Sequence, residues 1–86
     1  MSQFETRPEP IRIELMGERF SLKGTEDKEA ALAAADRLNQ EIESIDRRYP
    51  GLTPKQTALL AAFNLTDELL KTQKEYRELT GLLDRD

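Results

Sequence analysis

The residues most able to do chemistry in this 86-residue chain are its 17 acids. Two carboxylates can share acid and base work when their surroundings push their pKa values apart. Pairs such as Glu41/Asp46 and Asp67/Glu68 fall in segments of helical periodicity among other charged residues. That is the pattern of a solvated helix face. The chain has no His and no Cys. It therefore lacks the common neutral-pH acid–base group, the common metal ligands, a thiolate nucleophile and any disulfide. Gly17 and Gly24 are isolated and build no phosphate-cradling loop. These absences predict a protein that is not an enzyme, with no catalytic, cofactor-binding or metal-binding residue and no small-molecule substrate.

What remains is the chemistry of association. From Ala58 the apolar positions advance by alternating steps of four and three: Ala58, Ala62, Leu65, Leu69, Thr72, Tyr76, Leu79 and Leu83. This is the repeat of a helix that lies along another helix. Between Ala58 and Leu65 almost every side is apolar, which predicts burial on several faces. From Lys71 the apolar surface narrows to one stripe in a charged background. Asn64 interrupts the apolar half. It reads either as a polar side chain at the domain surface or as an interhelical amide that sets register. The basic residues Arg47, Arg48 and Lys55 flank a Pro50-Gly51 break. They read either as ordinary solvation with favourable charge at a helix C-terminus or as a spot for an acidic partner protein.

The elements that must position these residues are few. Residues 1–10, with Pro8 and Pro10, read as a flexible tail. Ile11-Arg12-Ile13-Glu14-Leu15 alternates apolar and charged residues, as a strand with one buried face does. Met16 to Arg19 reads as a turn around Gly17, and Phe20-Ser21-Leu22-Lys23 as a second strand. The hairpin would present Ile11, Ile13, Leu15, Phe20 and Leu22 to a core, with its register left open. A first helix spans about 26–48, with Thr25 as N-cap and acids in its first turn. Its apolar stripe is Ala31, Ala35, Leu38, Ile42, Ile45 and Tyr49, widened near the start by Ala30, Leu32 and Ala34. Thr53-Pro54-Lys55-Gln56 is a capping box with Pro at the first helical position, and it opens the second helix.

The expected fold class is α+β, mostly α: a β-hairpin, then two helices, the second long and continuing as a short coiled coil. The head spans 11–70, and 71–86 is the coiled-coil extension with a frayed end. The first helix is too short to cover Thr72 to Leu83, and Leu79, Leu82 and Leu83 left exposed invite aggregation. The chain is thus expected to be an obligate homo-oligomer. A net charge of −4 argues against nucleic-acid binding. No stretch has the roughly 18 consecutive apolar residues of a membrane span, and the N-terminal residues lack the apolar core of a secretory signal. A cytoplasmic protein without membrane insertion is expected.

The strand–Gly–strand start I-R-I-E-L-M-G-E-R-F-S-L, the run A-A-D-R-L-N-Q-E-I and the segment A-L-L-A-A-F-N-L-T-D-E-L-L together resemble the ZapA family of bacterial cell-division proteins, in its short-chain form. The resemblance covers roughly residues 11–75. It implies a non-enzymatic homodimer, able to pair into a tetramer, that binds the tubulin-like GTPase FtsZ. It implies crosslinking or alignment of FtsZ protofilaments at the mid-cell Z-ring. Carried onto this chain, it places self-association at Leu38, Ile42, Ala62, Asn64, Leu65 and Leu69. The stripe adds Ile45, Ala58, Tyr76, Leu79 and Leu83. FtsZ contact in this family uses charged head residues, for which Arg12, Arg19, Arg37, Arg47, Arg48 and Lys55 are the candidates. Phe63 stands where Leu or Val is usual. The alternative is a small helical dimerisation or adaptor module serving a different protein partner.

Overall fold

The computed structural model describes residues 10–23 and 27–84. The element order is β1 (Ile11–Leu15), β2 (Glu18–Leu22), α1 (Lys28–Arg48) and α2 (Pro54–Asp84). The expected hairpin and two helices are all present. Most of the expected N-terminal tail, the Thr25 cap and Glu26, and Arg85-Asp86 of the expected frayed end lie outside the described residues. The chain separates into two compact units, Met1–Ser44 and Ile45–Asp86, and the separation falls inside α1.

In the first unit, β1 and β2 pair antiparallel with Ile11 opposite Leu22, Ile13 opposite Phe20 and Leu15 opposite Glu18. This register puts Ile11, Ile13, Leu15, Phe20 and Leu22 on one face, as their alternation predicts. The loop is tighter than the expected four-residue turn: only Met16 and Gly17 lie outside the strands. Both have positive φ, 53° and 82°, the signature of a type I′ turn, whose twist matches that of the flanking strands. β2 therefore starts at Glu18 rather than Phe20. Ile11 is buried, Ile13, Leu15 and Leu22 are half-buried, and Phe20 is 45% exposed.

α1 starts from Asp27, whose Oδ1 accepts the Ala30 N–H at 2.9 Å and whose carbonyl accepts the Ala31 N–H. These bonds satisfy N–H groups that the first helical turn would otherwise leave unpaired. Ala31, Ala35 and Leu38 are half-buried and Ile42 and Ile45 are buried, so the stripe matches the covered face up to Ile45, while Tyr49, its expected last member, is exposed. Ala30, Leu32 and Ala34, which were expected to widen that face, are exposed. On α1, Asn39 Nδ2 donates to the Glu14 carbonyl of β1 at 3.0 Å, tying strand to helix.

In the second unit, Arg47 and Arg48 occupy the last turn of α1, and the Tyr49 N–H bonds to the Ile45 carbonyl at 2.7 Å. The residue before Pro50 is disfavoured in a helical conformation, which ends the element there. The α2 start is the capping box as read. Thr53 N–H donates to Gln56 Oε1 at 3.0 Å, and Gln56 N–H donates to Thr53 Oγ1 at 3.1 Å. α2 then runs unbroken for 31 residues, a length of about 46 Å.

Candidate protein interface

The best-covered residues of the second unit are Ile45, Thr57 and Ala61. Thr57 and Ala61 sit one turn apart on α2, and half-buried Asn64 continues the same face. The buried Thr57 hydroxyl points to Asp46 Oδ1 at 3.5 Å, the long limit of a hydrogen bond. Sequence reading missed Thr57. Its hydroxyl lowers its hydropathy, and it stands outside the run that begins at Ala58. The one available signal was its spacing of four from Ala61.

Opposite this face the apolar surface of α2 is bare. Leu59, Phe63 and Leu70 follow one another at helical spacing and are 58–68% exposed. The expectation that residues 58–65 are covered on several sides therefore fails within one chain. Along the four–three stripe, Ala58 and Leu65 are half-buried, while Ala62 and Leu69 are exposed. Beyond them Tyr76, Leu79, Leu82 and Leu83 are all exposed, Leu83 at 76%.

The self-association candidates thus fall into two groups. Ile42 and Ile45 are already buried in a single chain. A partner cannot remove much more of their surface from water, and their role in one chain is core. Leu38, Ala58, Asn64 and Leu65 are half-covered, and Ala62, Leu69, Tyr76, Leu79 and Leu83 retain most of their surface for a partner.

The basic candidates are divided between the two units. Arg12 and Arg19 project from the polar face of the hairpin beside Glu14 and Ser21, the residues opposite them, and line a shallow depression with Ile13 and Phe20. Arg37 on α1 pairs with Glu41 at 3.3 Å. Arg47, Arg48 and Lys55 flank the turn between α1 and α2, and all three are exposed. The Arg48 guanidinium lies over the Tyr49 ring, 5.8 Å from its centroid, which spreads positive charge on an aromatic face. Further along α2, Lys71 Nζ bonds to Asp67 Oδ2 at 2.9 Å. That hydrogen bond, with the attraction of the carboxylate, raises the Lys71 pKa.

Among the described residues no group of acids could hold a metal ion, and no helix is long and apolar enough to cross a membrane. The two units offer bare apolar helix surface, a half-covered sheet and exposed positive charge, which are means of binding protein.

Known proteins are similar to this chain. The family whose model matches residues 11–85 is described as Cell division protein ZapA. The chain is similar to the cell division protein ZapA of Shouchella clausii, 27% identical over 64 residues that cover 74% of this chain and 82% of that one. It is similar to the Bacillus anthracis protein of the same description, 24% identical over 79 residues, 92% of this chain and 89% of that one. A solved structure, the ZapA mutant dimer from Geobacillus stearothermophilus, superposes with a TM-score of 0.73 at 21% identity. It covers 99% of this chain and 100% of that chain, so the two share a fold. With the family pattern matched from β1 to the end of α2, the chain belongs to the ZapA family of cell division proteins.

Proposed function

We propose that this chain is a non-enzymatic accessory protein of cell division that self-associates and binds FtsZ. It crosslinks or aligns FtsZ protofilaments and so promotes Z-ring assembly at mid-cell, in the cytoplasm. The observation that carries the reading is the run of exposed apolar side chains along α2 in a chain of the ZapA family. A single copy leaves Leu69, Tyr76, Leu79 and Leu83 in water, and a second copy is the partner available to every such chain. The resolved relative being a dimer supports the same reading. Residues 11–70 form the head, and 71–86 act as an association arm that can join dimers into a tetramer.

The mechanism follows from valence. One FtsZ site per subunit cannot join two filaments. A dimer carries two sites and a tetramer four, so avidity and crosslinking arise together without any new contact. Arg12, Arg19, Arg37, Arg47, Arg48 and Lys55 are the candidate FtsZ contacts.

The test combines sedimentation of this protein with light scattering of FtsZ in GTP. The expected results are a dimer or larger and a rise in scattering when the protein is added. A dimer that leaves scattering unchanged would identify a helical adaptor for a different partner. A monomer would remove the valence argument.

A further inference from the structure

The hairpin has two edges, and they are treated differently. With a two-residue loop, the closing pair Leu15/Glu18 exchanges both backbone hydrogen bonds, and the pattern repeats at every second residue. Residues 11, 13 and 15 therefore bond to 18, 20 and 22. The N–H and C=O groups of Arg12 and Glu14 turn to the outer edge of β1, and those of Arg19 and Ser21 to the outer edge of β2. On β1, the Asn39 side chain occupies the Glu14 carbonyl. On β2, no hydrogen bond from a described residue reaches Arg19 or Ser21 outside the strand pair. Beside this bare edge Phe20 is 45% exposed although it lies on the apolar face.

We propose that this edge pairs with β2 of a second copy, antiparallel across a two-fold axis, to make one four-stranded sheet. The inference rests on the self-association proposed above and names where the two heads meet. The sequence of β2, Glu18-Arg19-Phe20-Ser21-Leu22, selects the register. Only residues whose backbone groups face outward can bond across the new seam, so Arg19 and Ser21 must meet Arg19 and Ser21. A pairing centred on residue 19 sets Arg19 against Arg19 of the second copy. One centred on residue 21 sets Arg19 against Lys23. Like charges directly opposite disfavour both. A pairing centred on Phe20 sets Arg19 against Ser21 in both directions and stacks Phe20 on Phe20 at the axis. That site is a non-hydrogen-bonded pair, where side chains approach closest and aromatic pairs gain most. On the polar face the row then reads Glu14, Arg19, Ser21, Arg12 across four strands, with Glu14 already opposite Arg19 in each hairpin. Glu18 falls opposite Leu22 at the rim, where its carboxylate reaches water.

The absence of Cys from the chain makes the test clean. In full-length Phe20→Cys the new thiol is the only one, and the Cα separation of such a pair, about 4.5 Å, suits a disulfide. Mild oxidation is expected to convert most of the protein to a covalent dimer. Arg19→Cys and Ser21→Cys chains retain Phe20. They are expected to crosslink when mixed and not when oxidised alone, which decides the matter should loss of Phe20 disturb folding. Self-crosslinking of either single variant would overturn the register. No crosslink in any of these in a protein that sediments as a dimer would overturn the edge pairing while leaving self-association standing. An extended segment of another protein on this edge would give that second result. A monomeric parent protein would instead overturn the reading on which the inference rests.

Discussion

Leu69→Ala measures directly how far α2 depends on a second copy. Leu69 is 53% exposed in one chain, so about half of its side chain can still be taken out of water. Full burial of a Leu side chain stabilises by roughly 1.5–3 kcal/mol, so the remaining half contributes about 1 kcal/mol per site. A two-fold interface holds two such sites, and truncation should weaken the dimer by about 2 kcal/mol, or a roughly 30-fold rise in dissociation constant. Analytical ultracentrifugation over a wide concentration range gives that constant, and urea unfolding at two protein concentrations gives an independent value. The unfolding midpoint of the parent should rise with protein concentration, because association stabilises the folded state by mass action. An unchanged dissociation constant, with a small loss independent of concentration, would mean that no partner covers Leu69 and that the stripe argument fails at its centre.

Three other perturbations test separate parts of the structure. Asp27→Ala removes the α1 cap and should cost about 1 kcal/mol of stability, read by chemical denaturation. Met16→Asn should stabilise the hairpin by about 0.5–1 kcal/mol, because Met is held at φ 53° where Asn is at less disadvantage; a lower melting temperature would contradict the turn assignment. Arg47→Glu combined with Arg48→Glu should reduce cosedimentation with FtsZ. It should leave the oligomer intact, with a stability loss of about 1 kcal/mol or less per site from unfavourable charge at the helix end.

Periodicity carried the architecture. Strict alternation in Ile11–Leu15 and three agreeing start signals at Thr53, Pro54 and Gln56 left little room for other elements. The details that escaped are those in which a local rule competes with the whole. Met16 gives no sign that it will adopt positive φ, since Met has no preference for it; the demand comes from closing two strands with two residues. Two acceptable caps, Thr25 and Asp27, stand two residues apart, and composition does not rank them. On α2 the run from Ala58 to Leu65 is so nearly apolar that its period lacks phase. The four–three steps identify a helix that packs but not which side meets its own chain. Thr57 and Ala61 hold that side, and Leu59, Phe63 and Leu70 lie away from it. The arginines were legible as charge, but charge alone selects no partner.

The hydrogen bond from Asn39 to the Glu14 carbonyl bears on how large an assembly can grow. A hairpin open along both edges is a repeating unit: each added copy offers a fresh edge, and the sheet extends into a fibre. In the pairing proposed above, addition takes place across β2, while on the β1 edge a side chain from α1 already holds the Glu14 carbonyl. A sheet paired in this way has four strands, with the Asn39 bond at each outer edge. On that proposal an amide on a helix makes the outer edge a poorer template for a further copy, which favours a finite particle over a polymer.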